Sequence, residues 1–270
     1  MGRRTKEISQ EAQNEAIMKA KSIHDYFFFG TSVRYLQDAA EGYRIHSNKS
    51  GAMVLSNLRM LLKALDDLGL QVSARAADKL RQIEVELVGT EAEAKLTKDQ
   101  AQSLNREVGN FRRTLEAEIK GFDAYVLAPK RIDVRRLLGD VPSLFAPGVF
   151  TLLPTIAAFD LNEAGKCIAF ERPTAAAFHI LRATESVLRE LYNRIVKRKR
   201  VSLMWGPIVQ DLKNRRALRS DESLINNLDD IRMHFRNPTQ HPEKVYDIEE
   251  VQDLWGRCVD AINRMAKYLK

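Results

Sequence analysis

The sequence predicts an all-α protein of two helical domains, and three observations predict it. Apolar residues recur at steps of three and four, most clearly at Val54, Leu55, Leu58, Leu61, Leu62, Leu65 and Leu68, which is the spacing of one face of a helix. Two stretches open on helix-start pairs, Thr97 with Gln100 and Asp247 with Glu250, in which a short polar side chain and a residue three positions on can cap the first turn reciprocally. A cluster of Pro142, Pro147 and Gly148 interrupts helical patterning and marks the domain boundary. The expected division is 1–148, a helical domain, and 149–270, a helical bundle.

In chain order, a first helix is expected from about Lys6 to Phe28, ending at Gly30. A turn over Ser47, Asn48, Lys49, Ser50 and Gly51 then opens the Leu-rich helix that stops before Gly69. A shorter helix covers Ala74 to Leu87, and Thr97 starts a long one through Leu104, Val108, Phe111, Leu115 and Ile119. Alternating charge on its other face suits solvent or a partner. Ala124 to Leu127, ahead of Pro129, reads as a short extended piece. Beyond the boundary, Asp221 to Phe235 carries Leu224, Leu228, Ile231 and Phe235 on one face. Pro238 lacks an N–H and disfavours helix at Asn237, so this helix is expected to end near Arg236. The last helix runs from Asp247 through Val251, Leu254, Trp255, Cys258, Ile262 and Met265.

The chain is long enough, at 270 residues, for two domains each with a core. A content of 44% hydrophobic and 29% charged residues is that of a globular protein. Apolar runs are far short of a membrane span, and Gly2-Arg3-Arg4 leads into a polar helix rather than a signal-peptide core. Cys167 and Cys258 have no metal-ligand spacing and suit a reducing cytoplasm as small apolar groups. These readings point to a cytoplasmic protein with no membrane partner. No His/Cys/acidic cluster suggests a metal, and no Gly-rich phosphate loop or nucleophile elbow appears, so no metal or cofactor is expected.

The net charge of +7 is uneven, with 20 Lys/Arg against 15 Asp/Glu from Leu161 onward. Lys197, Arg198, Lys199 and Arg200 supply much of that excess. Such a run can contact RNA phosphates, or serve as a solvated patch that complements a helix dipole.

Chemistry concentrates at Arg236-Asn237-Pro238-Thr239-Gln240-His241, with Arg232 and His234 just before it. Arg can stabilise a developing phosphorane and His can move a proton near neutral pH, the minimum for metal-free RNA cleavage. Arg236 and His241 are the candidate catalytic pair, and the Asn237 amide could orient a phosphate or the imidazole. Equally, His241 could be a loop residue and Arg236 a helix-end cap.

The Arg-Asn-x-x-x-His element between the last two helices resembles the signature of HEPN-domain proteins, many of which are RNases of toxin, abortive-infection and CRISPR systems. A second segment agrees, Glu163 to Cys167 leading into Pro173 to Glu185, which is similar to the first two HEPN helices. The resemblance covers about 150–270 and leaves the N-terminal half unplaced. It implies an all-α bundle of roughly four to five helices, working as a homodimer on RNA in phage defence, growth arrest or stress response. It also implies a regulatory or antitoxin partner and a sensing, regulatory or dimerising N-terminal domain. On the second bundle helix, Ala177, Ile180, Leu181, Thr184, Leu188 and Leu191 share one face, while His179, Arg182, Ser186 and Arg189 share the other. His179 and Arg182 are candidates to line an RNA groove, with Arg232 and His234 as further contacts, and Glu185 could hold Arg236. The same polar face could equally be plain solvated surface. Where HEPN toxins often carry Tyr two residues after the His, this chain has Glu243, which argues against an antitoxin that modifies that Tyr. The family also contains non-catalytic modules that bind nucleotide, RNA or a protein partner, and this is the alternative reading. Tyr246 and Trp255 read as packing residues, and Phe27-Phe28-Phe29 as either a core plug or an exposed partner patch.

Overall fold

A computed structural model of the chain describes residues 21–47, 53–196 and 204–270. The fold is all-α. Among the described residues no β-strand forms, and backbone pairing outside helices is an isolated antiparallel bridge between Arg44 and Lys95. No helix among them is long and apolar enough to cross a membrane. The chain divides into two compact units, the first up to Ala124 and the second from Tyr125 to Lys270.

In the first unit, α1 (Ile23–Gln37) starts at Ser22, whose Oγ accepts the His24 N–H at 3.2 Å. Contrary to the sequence reading, it continues through Gly30 to Gln37. A glycine costs a helix interior only about 1 kcal/mol, and burial of Phe29, Val33 and Leu36 outweighs that. Phe27 and Phe28 stay exposed, so only one of the three phenylalanines plugs the core. The expected portion before Lys21, and the turn over 48–51, lie outside the described residues. Helix α2 (Val54–Leu68) buries its Leu stripe and ends where expected, at Gly69. Gly69 has φ 73° and gives its N–H to the Leu65 and Asp66 carbonyls, a left-handed C-terminal turn that glycine adopts without strain.

The predicted Ala74–Leu87 helix is two, α3 (Gln71–Ala76) and α4 (Asp78–Val88), with a turn at the wholly buried Ala77. The Glu118 carboxylate pins the start of α3 by accepting the Val72 and Ser73 N–H groups at 2.9 and 2.7 Å. Helix α5 (Lys98–Ile119) has the full reciprocal cap, Gln100 N to Thr97 Oγ1 at 3.2 Å and Thr97 N to Gln100 Oε1 at 2.9 Å. It buries Leu104, Val108, Phe111 and Leu115. Asn105 on its side donates to the Leu36 and Ala39 carbonyls, closing the end of α1.

The second unit begins earlier than the Pro/Gly cluster suggests. Residues Ala124 to Leu127 form no strand, and Tyr125 and Val126 are exposed. Helix α6 (Val134–Gly139) and the 3-10 turns after it send Leu137, Val141, Phe145 and Val149 into the core of this unit. Pro142 and Pro147 therefore shape tight turns across a packed surface rather than a linker. The seating is close: a Cβ on Gly165 of α7 would lie 2.5 Å from the Leu137 carbonyl oxygen.

Helices α7 (Thr155–Ala169) and α8 (Pro173–Val196) form the main hairpin, turning at Glu171 with φ 56°. Helix α12 (Ile248–Met265) packs on α8, and α10 (Glu222–Ile231) packs on α12 and on α9 (Trp205–Lys213). The Trp205 indole N–H, inside the core, donates to the Leu228 carbonyl at 3.1 Å. The predicted apolar face of α8 is buried through Ala177, Ile180, Leu181, Thr184, Leu188 and Leu191; on the other face Arg182 and Arg189 are exposed, while His179 and Ser186 are half-buried. Tyr246 and Trp255 are buried packing residues.

Candidate functional site

The helix carrying Arg236 does not break before Pro238. It widens into a π-turn over Arg232–Arg236 and continues as α11 (Asn237–Thr239), and the Asn237 N–H reaches back five residues to the Arg232 carbonyl. In an α-helix the Pro238 ring would press on the carbonyl four residues earlier, at His234. The wider turn relieves that crowding, and π-turns often occur at functional sites.

Two hydroxyls hold the turn. Thr239 Oγ1 and Tyr246 OH both donate to the Phe235 carbonyl, at 2.6 and 3.1 Å, and lie 2.7 Å from each other. Both side chains are buried. Burial raises the Tyr246 phenol above its ordinary pKa, so the O–H stays intact. Tyr246 N donates to Thr174 Oγ1 at 3.1 Å, tying the following loop to the start of α8. Asp247 caps α12 by accepting the Glu250 N–H at 2.7 Å. The expected reciprocal half does not form, because the Glu250 carboxylate takes Lys244 instead.

On this frame, Arg236 Nε lies 3.6 Å from Glu185 Oε2 on α8. Glu185 also holds Arg189 at 2.5 Å. At 3.6 Å the Arg236 contact is a charge pairing rather than a hydrogen bond, so the guanidinium keeps donors for another anion. His241 is exposed. Its backbone is held by His241 N to Pro238 O at 2.9 Å and Lys244 N to His241 O at 3.2 Å, while its ring is unengaged by any described residue. The structure thus gives one cation fixed by a carboxylate and one free imidazole at the two ends of the motif.

The other candidates separate. Arg232 is committed to Asp229, with Nε at 2.8 Å, and lies against Gly206 of α9, so it serves packing. His234 is exposed. The Asn237 amide lies 3.9 Å from Met233 Sδ and bonds neither Arg236 nor His241. Lys197, Arg198, Lys199 and Arg200 lie outside the described residues.

His179 and Arg182 come together through a residue that sequence reasoning missed. Asp160 on α7 is wholly buried, and its carboxylate accepts from His179 Nδ1 at 2.8 Å and from Arg182 Nε at 2.6 Å. Burial alone would push this carboxyl up, but the Arg182 and His179 hydrogen bonds outweigh it and hold the pKa below the ordinary Asp value. The signal was in the pattern: Asp160 stands in register with Ala157, Leu161, Ala164 and Ile168, a charge on the apolar stripe of a helix. A buried charge of that kind requires a partner.

Cys258 is buried beside Thr184 and its pKa is pushed up to about 12, chiefly by burial, so its thiol stays neutral. Among the described residues, no group of three or more His, Cys, Asp or Glu is arranged to hold a metal ion. In comparisons with known proteins, no family model, no curated protein and no solved structure matches the chain.

Proposed function

We propose that the second unit is a HEPN-type endoribonuclease that cleaves RNA without a metal ion, using Arg236 and His241. The observation that carries this reading is that Arg236 is paired with Glu185 yet retains free donors, while the His241 ring beyond the same π-turn is exposed and unengaged. A binding module that used the loop only for packing would bury His241.

One Arg-His pair is a thin active site, since cleavage needs a base, an acid and charge stabilisation. A two-fold dimer supplies two of each group across an isologous interface. In the proposed reaction, one His241 accepts the proton of a ribose 2′-OH, and that oxygen attacks the adjacent phosphorus. Arg236 stabilises the dianionic phosphorane, and the partner's His241 protonates the departing 5′-oxygen. The products are a 2′,3′-cyclic phosphate and a 5′-OH. Proton transfer of this kind contributes about 10²–10⁴-fold. The biological setting that fits is phage defence, toxin-like growth arrest or stress response.

End-group analysis tests the chemistry. Cleaved RNA is expected to carry cyclic-phosphate ends, and a 2′-deoxy substitution at the cleaved position is expected to block the reaction. Cleavage of a DNA strand at a comparable rate would exclude 2′-OH attack.

A further inference from the structure

The Asp160 cluster is built differently from an internal ion pair. Its carboxylate is fully buried, but the Arg182 side chain is 56% exposed and that of His179 27%. Arg182 turns Nε and Nη2 onto Asp160 and leaves Nη1 without a partner among the described residues. Ionised Asp160 can only accept hydrogen bonds, so His179 must carry its proton on Nδ1, and Nε2 is left without a described partner. Burying a carboxylate to hold two surface side chains gains little stability over an apolar residue. What it does accomplish is to fix a guanidinium and an imidazole one helical turn apart, with little ordering left to pay when an anion arrives. Exposed rings stand beside them in sequence: Phe178 next to His179 and Phe159 next to Asp160, about half accessible at 50% and 53%.

We propose that His179 and Arg182, positioned by Asp160, form a phosphate-binding site for single-stranded RNA, with Phe159 and Phe178 as stacking faces for neighbouring bases. The identity of the chain as RNA rests on the ribonuclease reading; the phosphate chemistry does not. Arg182 presents the free edge of a planar guanidinium, suited to phosphate oxygens. The imidazolium form of His179, with Asp160 on Nδ1, offers Nε2–H as a second donor to the same phosphate. Base–aromatic stacking requires unpaired bases, so the substrate class is single-stranded. Asp160 is a positioning residue, acting through the two side chains it holds.

The test uses the full-length chain carrying His241→Ala, so that RNA is not consumed, and follows the His179 ring by NMR. The probes are a single-stranded oligoribonucleotide, a nucleoside 5′-monophosphate and inorganic phosphate. The oligonucleotide is expected to move the His179 resonances and bind most tightly, with inorganic phosphate shifting the same signals at higher concentration. Arg182→Lys and His179→Gln, which keep Asp160 partnered or nearly so, are each expected to weaken oligonucleotide binding about tenfold, the scale of one charge-assisted hydrogen bond. Asp160→Asn is expected to change the nitrogen shifts that report the His179 tautomer, which a merely structural role for Asp160 would not require. His179 signals that ignore all three probes, or unchanged binding by both conservative variants, would overturn the site. A mononucleotide that binds as tightly as the oligonucleotide would overturn the assignment to an RNA chain. Arg182-dependent binding by a parent chain that does not cleave RNA would support this site and sink the ribonuclease reading.

Discussion

Glu185 on α8 faces Arg236 in the π-turn at 3.6 Å, linking the second helix of the main hairpin to the segment that carries Arg236, Pro238 and His241. The pair is partly exposed, 16% for Glu185 and 29% for Arg236, so its worth to stability is about 0–1 kcal/mol. Its consequence is positional. Glu185→Gln is expected to change the melting temperature little and to lower single-turnover RNA cleavage about tenfold, the cost of roughly 1.4 kcal/mol of misplaced guanidinium. Equal cleavage by the variant would remove Glu185 from the account.

The π-turn rests on the Phe235 carbonyl and its two hydroxyl donors. Tyr246→Phe keeps the packing and deletes one donor, at an expected cost of about 1 kcal/mol and a fall in melting temperature of roughly 2–4 °C. The amides of Arg236 to His241 should exchange faster with solvent in the same variant. A drop in stability with unchanged exchange there would place the effect in the core instead.

Asp160 makes an asymmetric prediction. Removing Arg182 leaves a buried carboxylate without its guanidinium, whereas removing the Asp160 charge leaves two part-exposed side chains that can turn to water. Arg182→Ala is expected to destabilise by about 2–3 kcal/mol, the low end for a broken buried pair because Arg182 is itself half-exposed. Asp160→Asn is expected to cost less. The folded pKa of Asp160 is depressed, so its stabilisation is complete above the unfolded value of about 3.9 and is lost as pH falls through the lower folded value. The gap between parent and Asp160→Asn should therefore narrow below about pH 4. Urea titrations at neutral and acid pH measure both effects.

Gly165→Ala tests the docking of α6. The added methyl would sit 2.5 Å from the Leu137 carbonyl oxygen and 3.0 Å from Val141 Cγ2. Backbone cannot swing aside as a side chain can, and the expected cost is about 1–3 kcal/mol. A neutral substitution would mean that α6 is only loosely docked on α7.

Much of this architecture is written locally. Periodic leucines placed α2, and Thr97 and Asp247 marked the starts of α5 and α12, because caps and stripes act within a turn or two of themselves. Non-local packing was not legible in the same way. Gly30 reads as a stop, but burial of Val33 and Leu36 carries α1 past it. Pro142 and Pro147 read as a domain boundary, yet Leu137, Val141 and Phe145 pack into the core of the second unit. Pro238 reads as a helix end, while a π-turn absorbs it.

The candidate site divides in the same way. Arg236, His241 and their spacing are visible in the sequence because they are close along the chain. The pairing with Glu185 depends on α8 packing near the turn, and only the polar face of α8 hinted at it. Asp160 lies just before the Glu163–Cys167 stretch on which the reading of this helix rested, although a lone charge on an apolar stripe is itself a clue.

The measurement that bears most directly on the central claim is cleavage of end-labelled, structured RNA in the presence of EDTA by the parent protein, Arg236→Ala and His241→Ala. Cleavage by the parent is expected, with a loss of about 10²-fold or more in each variant, the scale of a removed phosphorane donor or proton-transfer group. A folded, dimeric parent that leaves the RNA intact, or cleavage that survives in both variants, would contradict it.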